Sequence, residues 1–285
     1  MNYIKYMSNR LKLKGMPKVY YFNLDSDTDR KYFMESQFKN YGIKYERVSQ
    51  SCYTAENFYD WVYRIEDHDD IINEEIDYPG ICEYSANFLR HLDLMNWWLN
   101  TTNEEYLLVM EDDYDLSLID YWHFSWKYLI KRLPPDWDAF RLNDDHMTMI
   151  KFFIHPVNKE GFLNFGAMLF KRSFVIKILT IYNYWNGKVK VRTNDARFFS
   201  ANPYCVDNAF TQIGSVYTAP LITTESSFCK EHGDNSSKYI FEPIQKACHQ
   251  WWRNERDLFT LDDFFCYGKP YDEKMSLVIN RDQRV

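Results

Sequence analysis

The residues best suited to chemistry lie together at positions 106–115, which read Tyr-Leu-Leu-Val-Met-Glu-Asp-Asp-Tyr-Asp. Glu111, Asp112 and Asp113 are consecutive carboxylates, and Asp115 follows one residue later. Adjacent like charges repel, so at the mouth of a buried strand they need a compensating charge. Hard carboxylate oxygens suit Mg²⁺ or Mn²⁺ in that role. The same residues could instead form a solvated acidic turn ahead of a helix, where acids are favoured near the N-terminus. The apolar run before them, Leu107 to Met110, reads as a short strand buried on both faces. Open α/β sheets gather their ligands at the carboxyl ends of such strands.

A length of 285 residues suits one large domain or two small ones. The hydrophobic share of 46% is enough for a sizeable core at this length. Aromatic residues are abundant at 19%, which fits either a large mixed core or aromatic-lined clefts for sugars and bases. A net charge of −7 argues against a dedicated nucleic-acid binder, which would carry a basic footprint. Lys5, Arg10, Lys12 and Lys14 near the start have no apolar segment behind them, so no secretory signal is expected. No run approaches the roughly 18 apolar residues of a membrane span. The six cysteines form no CxxC pair. These features together predict a cytoplasmic protein with reduced thiols.

The elements that would position the acids follow in order. Residues 19–23 are rich in strand formers, and a helix is predicted over 29–40, capped by Asp27 or Thr28 and ended by Gly42. A second strand at 45–48 completes the start of an α/β fold. An amphipathic helix spans 83–99, with Phe88, Leu89, Leu92, Met95 and Leu99 on one face. After the acidic cluster, a helix is predicted over 119–133, stopped by Pro134-Pro135. Strands follow at 139–142, 152–155 and 167–170, then a helix at 173–184. A short helix at 206–213 carries Asp207, and a strand at 216–219 ends at Pro220. From Leu221 onward the periodicity weakens. The simplest account is one continuous α/β domain over 1–285, with 221–285 packing back across it.

Several of these segments agree in order with one family. The chain resembles glycosyltransferase family 25, which includes lipooligosaccharide and collagen galactosyltransferases. The resemblance is carried by Asn23-Leu24-Asp25 with Arg30, by Glu111-Asp112-Asp113, by Trp137-Asp138, by Gly166 running to Lys171-Arg172-Ser173, and by Val206-Asp207. One segment departs: where the family has a Gly-rich stretch ending in Ser-His, this chain keeps Gly80, Ser85 and His91 at altered spacing.

The resemblance implies a GT-A fold, a Rossmann-like α/β sandwich with a mixed central sheet flanked by helices. It also implies a UDP-sugar donor, usually with Mn²⁺ (or Mg²⁺), and transfer of galactose or glucose with inversion. A cation would stabilise the departing diphosphate as its charge develops. Asp113 belongs to both the Glu-Asp-Asp match and the literal Asp113-Tyr114-Asp115, which makes it the first metal ligand to test. Asp115 and His232, in His232-Gly233-Asp234-Asn235, join it on the metal side. Asn23, Asp25, Arg30, Glu111, Asp112 and Lys238 are expected near the nucleotide. Asp207 is the expected base for the acceptor hydroxyl, although Asp is equally a preferred helix N-cap. Asp144-Asp145-His146 is an alternative metal or acceptor cluster, or simply a polar loop.

The expected partners are a nucleotide-sugar donor and a glycan, lipopolysaccharide or protein acceptor, with no nucleic acid and no transmembrane segment. Composition is compatible with a bacterial or virus-encoded origin. A sugar-binding module without turnover would suit the aromatic excess. A metal-dependent phosphoesterase would use the same acids but needs a second tight ligand cluster.

Overall fold

Residues 7–50, 63–65, 81–144, 149–158, 166–190, 206–230, 235–267 and 273–278 are described by the computed structural model. A short helix α1 (Asn9–Lys12) precedes the first strand, β1 (Val19–Leu24). Helix α2 (Thr28–Tyr41) follows and ends at Gly42, whose φ of 67° is the left-handed C-cap that glycine adopts at little cost. Then come β2 (Tyr45–Gln50), the long helix α3 (Ile81–Thr101) and β3 (Tyr106–Met110), which delivers the acidic cluster. The chain continues through β4 (Tyr114–Asp115), a 3₁₀ turn (Ser117–Tyr121), α4 (Trp126–Arg132), β5 (Ala139–Arg141), β6 (Met149–Lys151), β7 (His155–Pro156) and β8 (Ala167–Lys171). The remaining α-helices and strands are α5 (Arg172–Ile181), α6 (Val206–Ile213), β9 (Val216–Thr218), β10 (Thr223–Thr224), α7 (Asn235–Gln250), α8 (Leu261–Phe264) and β11 (Ser276–Val278), with short helical turns at Ser226–Lys230, Trp251–Glu255, Arg256–Leu258 and Glu273–Met275.

Seven strands form one mixed sheet in the order β2-β1-β3-β8-β5-β9-β7. β1 lies parallel to β2 and β3, and β5 lies parallel to β9. β8 runs antiparallel between β3 and β5, and β7 antiparallel to β9. The period-2 alternation of strands explains why these strands read as continuous apolar runs: each face of the sheet needs its own core. On one face Tyr21, Leu108, Met110, Phe140 and Leu169 pack with Met34 and Phe38 of α2 and Trp126 of α4. On the other, Tyr20, Phe22, Leu107, Val109, Met168 and Phe170 pack with Phe88, Leu92 and Trp98 of α3, Phe174 of α5 and Phe210 of α6. The result is an α/β sandwich with helices on both faces.

Three expectations change. The helix predicted over 119–133 is broken: a 3₁₀ turn covers Ser117–Tyr121, and α4 restarts at Trp126 after Ser125 accepts a hydrogen bond from the Tyr128 amide at 3.2 Å. Trp122 and Phe124, in the gap, are buried instead of following a helical stripe. The strand predicted at 152–155 is two short strands, β6 and β7, with residues 152–154 bending between them. The weakly periodic tail contains the 16-residue helix α7, which keeps Pro243 inside it. Its Ile244 and Cys248, with Trp251, Trp252, Phe264 and Phe265 beyond it, enter the core on the α2 face. Trp252 Nε1 donates to Pro220 O at 2.7 Å, which fastens the tail to the end of the sheet. Part of the aromatic excess goes into the core, with Trp98, Trp122, Trp126 and Trp252 among the fully buried side chains, while Tyr32, Tyr63, Trp97 and Trp185 are exposed.

Candidate active site

The pairing directions decide where the polar residues meet. β1, β3, β5 and β9 all end on one edge of the sheet, and antiparallel β8 begins there. That edge carries Asn23 from β1, Glu111 to Asp113 after β3, Asn143 and Asp144 after β5, and Gly166 before β8. This is the location expected for a ligand in an open α/β sheet.

Within the acidic cluster the carboxylates have different partners. Asp112 is buried and accepts hydrogen bonds from Asn23 Nδ2 at 2.6 Å and from Arg30 Nη1 at 3.2 Å. The Arg30 guanidinium also stands 3.8 Å from Asp113 Oδ2 and donates to Phe228 O at 3.1 Å. Its plane lies 5.4 Å from the Phe228 ring centroid. One arginine from the first turn of α2 thus faces two of the acids and the segment Ser226–Lys230. Asp113 and Glu111 are half-buried, and their backbones are pinned: the Glu111 amide donates to Gly166 O, and Asp113 O accepts from the Glu225 amide.

Asn23 is held from behind by Arg47, whose Nε donates to Asn23 Oδ1 at 2.8 Å. The same guanidinium reaches Asp25 at 2.6 Å, and Ser49 Oγ donates to that carboxylate at 2.6 Å. The Ser49 and Arg47 hydrogen bonds lower the Asp25 pKa although the residue is exposed. Sequence reasoning missed Arg47. Its signal was a charged residue inside a strand, opposite Tyr21 and so two residues along the partner strand from Asn23.

Gly166, at φ +62°, sits where a Cβ would overlap Tyr114 Oη and the Asn143 side-chain amide. Asn143 is fully buried and accepts from the Ala167 amide at 3.2 Å. Gly166 therefore lets β8 start directly against the acidic loop.

Tyr114 turns to this side of β4, so Asp115, the next residue, faces the other way. Asp115 accepts from the Ser117 amide and hydroxyl at 2.8 and 3.0 Å, and pairs with His249 Nε2 at 3.0 Å. Burial would raise its pKa, but the His249 and Ser117 hydrogen bonds outweigh burial and hold it below the ordinary carboxylate value. Asp115 is thus joined to α7, apart from the Asp112–Arg30 contact.

Asp144 also has protein partners: the Lys151 amide at 3.2 Å, His155 Nε2 at 3.5 Å and Arg141 Nη2 at 3.8 Å. Asp144, Arg141 and His155 are buried, and burial lowers the His155 pKa despite Asp144 beside it. Asp145, His146 and His232 lie outside the described residues, as do the side chains of Asp207 and Lys238, whose backbones belong to α6 and α7. His91, from the segment that departs from the family pattern, is buried on α3. Its ring lies 4.3 Å from that of Phe22 and its Nδ1 faces Asn87 O.

Among the described residues, no group of three or more His, Cys, Asp or Glu side chains is placed to hold a metal ion. Nor is any described helix long and apolar enough to cross a membrane.

No protein-family profile matches the chain, and no curated protein sequence matches it. Two solved structures share part of its outline. One is A197 from STIV, at 11% identity and a TM-score of 0.41, over 73% of this chain and 84% of that one. The other is the nucleoside-diphosphate-sugar pyrophosphorylase from Vibrio cholerae RC9, at 8% identity and a TM-score of 0.31, over 73% and 76%. Likenesses this weak add nothing to the architecture described above.

Proposed function

We propose that the chain is a glycosyltransferase of GT-A organisation that moves galactose or glucose from a UDP-sugar to a hydroxyl of a glycan, lipopolysaccharide or protein, with inversion. The observation that supports this reading is the meeting of Asn23, Arg30, Asp112 and Asp113 at the carboxyl edge of a mixed sheet, the same edge where Gly166 leaves no room for a side chain beside Tyr114 and Asn143. In this reading Asn23 and Asp25 flank the nucleotide, and Arg30 supplies positive charge next to the diphosphate. Asp207 takes the proton of the acceptor hydroxyl as its oxygen forms the new bond to the sugar's anomeric carbon, and UDP leaves with the bonding electron pair. Lys238 would approach the departing phosphates.

The divalent cation that the resemblance implies, Mn²⁺ or Mg²⁺, finds no complete ligand set among the described residues. Asp112 is taken by Arg30 and Asn23, and Asp115 by His249 and Ser117. Asp113, with Glu111 and His232, is the proposed place for a cation.

The test is release of UDP from UDP-galactose and UDP-glucose, with and without Mn²⁺, by the intact chain and by Asp207→Asn. Release that Asp207→Asn abolishes supports the reading. No release from either donor, alone or with simple sugar acceptors, counts against it.

A further inference from the structure

The connections of the sheet part at β1. That strand lies between β2 and β3, parallel to both. Helix α2, which links β1 to β2, packs on one face through Met34 and Phe38. Helix α3, which precedes β3, packs on the other through Phe88 and Leu92. Neighbouring strands whose helices depart to opposite faces leave a crevice at their carboxyl ends, where doubly wound sheets seat the phosphates of a nucleotide. Asn23, Arg30 and Asp112 meet in the β1–β3 crevice here. To one side of it Gly166 sits directly against Tyr114 and Asn143. To the other, at the end of β2, Asp25 and Ser49 are exposed, which makes the β2 side the open one for a nucleoside.

The groups at the β2 end form a prepared hydroxyl acceptor. Ser49 pairs in register with Asn23, and Arg47 lies two residues back on the same face of the strand. Arg47 Nη2 and Ser49 Oγ both donate to Asp25 Oδ1, each at 2.6 Å. Arg47 also holds the neighbouring Asn23, at 2.8 Å from Nε to Oδ1 and 3.3 Å from Nη2 to the backbone oxygen. The donors thus converge on one oxygen of Asp25, and the other, Oδ2, has no partner among the described residues. Ser49 gives its only proton to Asp25, so its lone pairs stay open to accept. Arg47 offsets the charge of Asp25, which lets an ionised carboxylate stand near a diphosphate. Two adjacent acceptors with no free proton between them repel an anion and suit two adjacent hydroxyls, the cis-diol of a ribose.

We propose that Asp25 Oδ2 and Ser49 Oγ accept hydrogen bonds from the ribose hydroxyls of a ribonucleoside diphosphate, and that Arg47 is the positioning residue that aims Asp25 at them. This rests on the reading of the strand-end edge as a nucleotide site and adds to it a preference for ribose over its deoxygenated forms.

Isothermal titration of the intact chain with UDP and with 2′,3′-dideoxy-UDP, both with Mn²⁺, tests it. UDP should bind about tenfold tighter or more, the worth of a hydrogen bond to a charged group. Asp25→Ala, at an exposed position, should bring UDP down to the affinity of the dideoxy compound. Arg47→Gln should narrow the ratio between the two ligands, whereas a purely structural loss would weaken both alike. Equal binding of the two ligands by the parent chain overturns the ribose assignment and leaves the nucleotide reading standing, and so does a full preference that survives in Asp25→Ala. An unchanged ratio in Arg47→Gln overturns the positioning role of Arg47. Binding of neither ligand by the parent chain overturns both the assignment and the reading beneath it.

Discussion

At the scale of single residues, the acidic cluster divides into a buried, ion-paired member, Asp112, and the half-buried Glu111 and Asp113, and substitution separates them. Asp112 is buried against Arg30, so Asp112→Ala removes the nearer carboxylate of the pair and leaves the guanidinium to Asp113 at 3.8 Å and the Phe228 carbonyl. Breaking such a buried pair costs about 3 kcal/mol, and urea denaturation should show a loss of that order. Asp113, farther from Arg30 at 3.8 Å and more exposed, should lose less than about 1 kcal/mol on the same change. Gly166→Ala meets two obstacles, a left-handed φ and overlap with Tyr114 and Asn143. A stability loss of about 2–4 kcal/mol is expected from strain and overpacking together, read as a lower denaturation midpoint. The acids themselves were legible in the sequence. Their division of labour was not, because Arg30 and Asp112 are 82 positions apart and their contact exists only once β1 and β3 pair.

At the scale of elements, the amphipathic helix at 83–99 was plain in the sequence, and α3 extends it by a turn at most. Burial of His91 on that helix has a measurable consequence. Desolvation lowers its pKa from 6.5 to about 3. Between those values the unfolded chain binds a proton that the folded chain excludes, so the stabilisation present above pH 6.5 is lost as pH falls through this window. The slope for one such group approaches about 1.4 kcal/mol per pH unit. Urea denaturation at pH 7, 6 and 5 should therefore show a shallower decline for His91→Phe than for the parent chain. Parallel declines would mean His91 is not a buried neutral imidazole. Helix α7 was not legible, because Pro243 and a polar composition hide its apolar side. That side is revealed only by Ile244 and Cys248 meeting Trp252 and the β-sheet core. The break at Trp122–Ser125 was hidden for the opposite reason: its apolar spacing fits a helix, and the Ser125 cap decides against one.

At the scale of the whole molecule, strands buried on both faces and helices between them pointed to an α/β sandwich, and the mixed sheet with a core on each face is that. Strand order was beyond reach of the sequence, since antiparallel β8 inserts between β3 and β5 from far along the chain. That insertion is what brings Gly166 and Asn143 to the acidic loop. The account's central claim is that this edge of the sheet holds a nucleotide diphosphate. The most direct measurement is the melting temperature of the intact chain with UDP and Mn²⁺, beside Asp113→Ala under the same conditions. The account predicts a rise of several degrees that the variant lacks while melting normally without ligand. No shift with any nucleoside diphosphate, or an equal shift in Asp113→Ala, would contradict it.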